Sequence, residues 1–349
     1  MSRMTNPSSS PSLPPEAAAA QHVIQLATGF IVSTALQVSV RLGIPDRLAN
    51  GPKSAKELAA EAGVQEDALY RVLRALASVG IFDESDGRRF ALTLAGGLLR
   101  SGVPGSVQAM AKFMCSPFHL RVYSELMHSL KTGKPAVEKA VGMPVFEYLP
   151  KDPELSEIFN DAMTSFSEMV IPAALSAYDF GGIETLVDVA GGHGAVLTAI
   201  LKKNPRMKGI LFDLDHVIAG ASGLIKASGV AERLTTQSGD FFKAVPEGDG
   251  YIMKSIIHDW DDERASLILR NIRSAMGSKK GRVILLDSVI PSGNAPDFGK
   301  IIDIEMLALP GGKERTETEF RALFEKSGFR LSRIVPTPSP LAVIEALPA

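Results

Sequence analysis

From Thr185 onward the chain alternates short apolar runs with amphipathic stretches, and the runs end on acidic residues. Leu186-Val187-Asp188-Val189 is the first; Gly209-Ile210-Leu211-Phe212 leads to Asp213; residues 235–238 lead to Asp240; Gly250-Tyr251-Ile252-Met253 is the fourth; residues 282–286 lead to Asp287. Apolar runs of this length, separated by helical stretches, predict an α/β domain, an open and mostly parallel sheet with helices on both faces. Ligands of such sheets bind beyond the carboxyl ends of the strands, where the strand order reverses. Those ends are therefore the first place to look for chemistry.

After the first run comes Ala190-Gly191-Gly192-His193-Gly194, and the helix expected over 195–203 follows. Small residues here let a nucleoside approach the backbone. The loop lacks the full Gly-x-Gly-x-x-Gly spacing that suits a pyrophosphate, which disfavours a nicotinamide oxidoreductase. Asp213, one strand and one helix further on, stands where a carboxylate can accept from both hydroxyls of a ribose. Asp240, followed by Phe241 and Phe242, can bracket an adenine by an edge hydrogen bond and a ring contact. Acids at successive strand ends make a plain glycine turn the weaker reading.

His258 follows the fourth run directly, in Lys254-Ser255-Ile256-Ile257-His258-Asp259-Trp260-Asp261-Asp262-Glu263. An imidazole, with an ordinary pKa of about 6.5, suits proton abstraction at neutral pH when carboxylates orient it and stabilise its cation. The candidate acids are Asp287 and Glu314, the latter in Gly311-Gly312-Lys313-Glu314-Arg315-Thr316-Glu317. The acidic run at Asp259, Asp261, Asp262 and Glu263 reads as a solvated helix start, favoured by the helix dipole, rather than as a magnesium site. His193 and His216 have no second ligand at close spacing, so no metal is expected.

Upstream, residues 1–15 are rich in Pro and Ser and are expected to be a disordered tail. Residues 16–102 are expected to form a winged helix: Ser54 caps a helix over 55–61, a second helix spans 65–79, and 81–92 turns through Asp86-Gly87. Glu66 and Asp67 would present the wrong charge to phosphates, so packing or dimerisation is preferred over DNA binding. Residues 103–180 read as a helical connector that contributes to a substrate pocket, and residues 181–349 as the Rossmann-like catalytic domain. No charge falls between Glu16 and Arg41, but the interrupting Gln, Ser, Thr and His residues make that stretch a poor membrane span. A buried or subunit-facing helix is expected instead.

With 37 Lys and Arg against 39 Asp and Glu, the chain carries no polybasic stripe for nucleic acid or anionic lipid. A small-molecule partner fits better. Cys115 is the single cysteine, which excludes an intrachain disulfide and points to the cytoplasm.

In order and spacing, residues 186–194, Phe212-Asp213-Leu214, Gly239-Asp240-Phe241, residues 253–261 and residues 311–317 resemble the caffeate- and hydroxyindole-type class I O-methyltransferases. The resemblance covers nearly all of residues 20–349. It implies S-adenosyl-L-methionine as cofactor, a small and aromatic hydroxyl acceptor, and a homodimer formed through the amino-terminal winged helix, which closes the neighbouring active site. It also implies roles by position. His258 is the general base, flanked by Asp287 and Glu314. Gly191, Gly192 and Gly194 hold the methionine moiety, Asp213 the ribose, Asp240 and Phe241 the adenine end, and Lys254 lies beside the adenosine. Asp188, Ala190, Leu214 and Ser167 complete the cofactor set, and Phe159, Met163 and Met306 match substrate-pocket positions.

Three departures stand out. Ala190 replaces the usual first glycine of the loop. Asp287 stands where many plant members have Glu, one methylene longer, so its contact with His258 is expected to be longer or bridged by water. The stretch before Gly311 is a residue shorter than in plant members. A relative that keeps the cofactor for decarboxylation or hydroxylation would share the fold, but His258 with both acids argues against it.

Overall fold

The computed structural model describes residues 14–349, in two compact units, one ending at Ser116 and the other spanning Pro117–Ala349. The tail expected over 1–15 lies outside the described residues up to residue 13. Pro15 already opens a helix, where its missing N–H costs nothing.

In the first unit the apolar stretch after Glu16 forms two helices, Pro15–Ala27 and Gly29–Arg41, bent by 44°. The Thr28 hydroxyl donates to the Ile24 carbonyl at the break, and Gly29 follows, which loosens the ladder there. No residue of the first helix is buried within the chain, and Val23, Ile24 and Leu26 are more than half exposed. Of the two expected alternatives, a buried or a subunit-facing helix, burial within the chain does not hold for this first helix, whereas Gln37, Ser39 and Val40 of the second are buried. Among the described residues no single helix is long and apolar enough to cross a membrane, although the bent pair together has the length and composition to do so. Ser54 caps Ala55–Ala62 with a reciprocal bond from Glu57, and Gln65 caps Glu66–Ser78. Strands β1 (Lys53–Ser54), β2 (Phe82–Ser85) and β3 (Arg89–Leu92) pair in the order β1-β3-β2 and complete the winged helix over a core that includes Leu58, Leu73, Phe82 and Phe90.

The second unit begins with short helices broken at Gly133 and Gly142, both left-handed, and continues into the long helix Pro153–Ala177. Its sheet has seven strands among the described residues: β4 (Thr185–Val189), β5 (Lys208–Asp213), β6 (Leu234–Ser238), β7 (Gly250–Lys254), β8 (Arg282–Asp287), β9 (Phe329–Val335) and β10 (Ala342–Pro348). Their order is β6-β5-β4-β7-β8-β10-β9, all running parallel except β10, which is antiparallel to both of its neighbours, β8 and β9. Burial on both faces explains the continuous apolar runs. Leu186, Leu211, Ile252 and Ile284 share a core with the helices Ala195–Lys203 and Pro153–Ala177 on one face, and Val187, Tyr251, Met253 and Val283 with Asp262–Met276 and Glu317–Lys326 on the other. The order reverses between β4 and β7, so the loops after these strands flank the crevice where ligands bind.

Candidate active site

On the β4 side the loop is built by backbone conformation. Ala190, Gly192 and Gly194 all have positive φ, and Gly191 lies so close to Asp188 that a Cβ there would stand 2.5 Å from its carboxyl carbon. Asp188 is buried beneath the loop, and burial pushes its carboxyl up to about 7 against the pull of Lys254. Asp213 accepts from the backbone N–H of Gly192 at 2.8 Å and of Leu214 at 2.7 Å. A carboxylate has about four acceptor directions, so its outer side remains for two further hydroxyls. A Cβ on Gly192 would meet nothing within 4 Å, which leaves open space at the loop's crest. These features fit a nucleoside with a ribose on Asp213.

Asp240 accepts from the Phe242 N–H, and Phe241 and Phe242 make edge contacts with Trp260. Lys254 closes β7. Burial lowers its pKa while Asp188, Asp287 and Asp259 raise it, and its ammonium lies 5.7 Å from the Phe166 ring centre. Phe166 belongs to the helix that also carries Phe159, Met163 and Ser167, spaced along one face. The Ser167 hydroxyl donates back to the Met163 carbonyl. Met306, in the helix Phe298–Ala308, is buried.

On the β7 side, His258 sits in a single 3-10 turn, Ile257–Asp259. Its Nδ1 donates to Glu314 Oε1 at 2.8 Å, which leaves Nε2 as the proton acceptor. Asp287 is fully buried but makes no such bond: neither of its oxygens has a hydrogen-bond partner among the described residues. It therefore makes no direct hydrogen bond to His258, and its charge raises the pKa of that ring. Burial pushes the Asp287 carboxyl up to about 7 despite His258 nearby.

Asp259 departs from the solvated helix start expected of its acidic run. Its Oδ1 lies 3.6 Å from His258 Nε2, and burial holds its carboxyl up to about 6. Only Asp261 caps the following helix, accepting from Glu263 and Arg264. Burial would lower the pKa of His258, but Asp259, the Glu314 hydrogen bond and Asp287 outweigh it and raise it to about 9.

Two further groups give no signal of their own in the site motifs. Arg315 is fully buried against the His258 turn. Glu305, next to Met306, accepts from His119 Nε2 at 2.9 Å and from the Tyr123 hydroxyl at 2.5 Å. A charged residue in an apolar helix is the one sequence signal for Glu305, but its partners lie more than 180 positions away.

Comparison with known proteins agrees with this arrangement. Residues 123–330 match the O-methyltransferase domain, and residues 24–101 match the O-methyltransferase dimerisation domain. The chain is 42% identical over 327 residues to a phenazine O-methyltransferase of Lysobacter antibioticus, covering 93% of this chain and 95% of that one. It is 35% identical to an 8-amino-8-demethylriboflavin N,N-dimethyltransferase of Streptomyces davaonensis, over 95% of this chain and 96% of that one. An O-methyltransferase from neocarzinostatin biosynthesis, solved with S-adenosyl-L-homocysteine and 1,4-dihydroxy-2-naphthoic acid, superposes with a TM-score of 0.78 at 31% identity, over 91% of this chain and 96% of that one. The chain therefore belongs to the S-adenosylmethionine-dependent O-methyltransferases that carry an amino-terminal dimerisation domain.

Proposed function

We propose that this enzyme methylates a hydroxyl of a small aromatic natural-product acceptor, with His258 as general base. The observation that carries the reading is the His258–Glu314 pair at 2.8 Å, in which a carboxylate on Nδ1 favours the tautomer that leaves Nε2 to take a proton. S-adenosylmethionine, when bound, supplies a methyl group on a positively charged sulfur. Gly191, Gly192, Gly194, Asp213, Asp240, Phe241 and Lys254 would hold it. His258 takes the acceptor's hydroxyl proton at Nε2, and Glu314 stabilises the imidazolium that results. Asp259 and Asp287 add negative charge around the ring. Phe159, Met163 and Met306 orient an aromatic acceptor.

Alignment supplies the larger share of the rate, on the order of 7 kcal/mol or more, and the base about 100-fold or somewhat more. No metal enters this scheme. The homodimer is part of the reading: the exposed apolar residues of the first helix are what a second copy would cover, in a region that matches a dimerisation domain. A cytoplasmic site of action fits the single cysteine.

Labelled-methyl transfer from S-adenosylmethionine to a panel of catechols, hydroxyindoles, hydroxynaphthoates and hydroxyphenazines, with and without EDTA, tests the reading. Aromatic amines belong in the panel, because one relative is an N,N-dimethyltransferase. Transfer to hydroxyls that EDTA leaves unchanged is expected. Transfer to amines alone would replace the acceptor class.

A further inference from the structure

We propose that Arg315, locked by Asp262, is the positioning residue that holds the His258 turn in register; the proposal rests on His258 being the base. The turn Ile257–Asp259 is only one helical turn long, and its internal bonds are few: Asp259 N–H to Ile256 at 3.1 Å and Trp260 N–H to Ile257 at 3.3 Å. So short a 3-10 segment cannot fix its own carbonyls, which need donors from elsewhere.

One distant segment provides them. Arg315 Nη1 donates to the Ile257 carbonyl at 3.1 Å and Nη2 to the Trp260 carbonyl at 2.9 Å, so the guanidinium spans the turn. Between them, the Lys313 N–H donates to the His258 carbonyl at 2.9 Å. Gly312 lies so close to the turn that a Cβ would stand 2.0 Å from that same carbonyl oxygen.

Asp262 Oδ1 accepts from Arg315 Nε at 3.0 Å and from Nη2 at 2.9 Å, which sets the plane of the fork. Arg315 is 1% exposed, and all of these contacts use its rigid planar geometry, which a lysine cannot reproduce. The neighbouring Glu314 holds the ring itself, with its own backbone N–H fixed by Asp303 at 2.8 Å. Residues 313–315 thus set both the position of the turn, through Arg315, and the angle of the imidazole, through Glu314. None of these bonds involves Gly191, Asp213 or Asp240. Loosening the clasp should therefore disturb the base and spare the cofactor.

The test uses the full chain with Arg315→Lys and Asp262→Ala; Asp262 is half-exposed, so that variant keeps the test alive if the first fails to fold. Trp260 is the chain's single tryptophan, and its fluorescence reports on this turn directly. Nuclear magnetic resonance of isotope-labelled histidine follows the titration of His258, assigned with His258→Ala, and calorimetry follows S-adenosyl-L-homocysteine binding. Both variants are expected to shift the Trp260 emission and to lower the His258 midpoint by about one pH unit, as Asp259 and Glu314 lose register. Binding of S-adenosyl-L-homocysteine should stay within about threefold. An unchanged Trp260 spectrum and His258 midpoint in both variants would overturn the proposal, and so would a loss of S-adenosyl-L-homocysteine binding as large as the change at His258. Full turnover in His258→Ala would instead overturn the base while leaving the spectroscopic result standing, so the two failures are distinguishable.

Discussion

The two banks of the crevice are built in different ways. The β4 bank is local: the loop over 190–194 is joined to Asp213 by a bond from the Gly192 backbone N–H to its carboxylate, within a span of about one strand, helix and strand. The β7 bank is assembled from far apart, with His258 and Glu314 separated by 56 positions and Arg315 bridging 58 to Ile257. A local cradle depends on backbone freedom at a few small residues. A distant assembly depends on side chains that reach across the fold, so a change there should spare cofactor binding and strike the chemistry.

The largest effect expected is that of His258→Ala, which should lower kcat at least about 100-fold while leaving S-adenosyl-L-homocysteine affinity, measured by calorimetry, nearly intact. A matching loss of affinity would break the division between the banks.

A pair of glycine variants sharpens it. Gly312→Ala forces the chain away from the His258 carbonyl and should cost roughly 100-fold in kcat, since an ångström of misplacement can do that. Gly191→Ala pushes against Asp188 and should instead weaken S-adenosyl-L-homocysteine binding, about tenfold or more, with kcat at saturating cofactor less affected.

The pH dependence follows from the raised pKa of His258. Its protonated form is favoured by the fold, so this contribution to stability is full below about pH 6.5 and is lost as pH rises through about 9. A base must be neutral, so kcat/KM of the free enzyme should climb with pH through a midpoint near 9, and Glu314→Gln should move that midpoint down. A flat profile across this range would remove His258 from the proton transfer.

The smallest effect expected is on the β4 bank. Ala190 holds a φ of 55°, a conformation that suits glycine, so Ala190→Gly should stabilise the fold by about 1 kcal/mol, read as a raised Tm.

Much of this architecture is legible in the order of residues. The apolar runs from Leu186 to Leu286 are buried on both sides, and that burial requires them to be continuous, which is why the core strands can be read. Strand β9 gives no comparable signal, because at the sheet's edge it leaves Arg330, Ser332 and Arg333 exposed, and in β10, its inner neighbour, Glu345 interrupts an otherwise apolar run. The two amino-terminal helices read as one helix, either buried or facing another subunit, since charge-free composition does not distinguish a core from an exposed face.

The sequence by itself determined the five parallel strands from β4 to β8, the glycine loop and the residue types at the strand ends, because these follow from periodicity of two kinds and from backbone freedom at small residues. Only the tertiary structure decided which acids serve His258. Glu314 reaches it, Asp287 makes no hydrogen bond to it, and Asp259 turns inward although it sits in a run of solvent-seeking charges. The physical reason is distance: hydrogen bonds are made or lost over a few tenths of an ångström, and residues 56 apart acquire that precision only when the chain between them has packed.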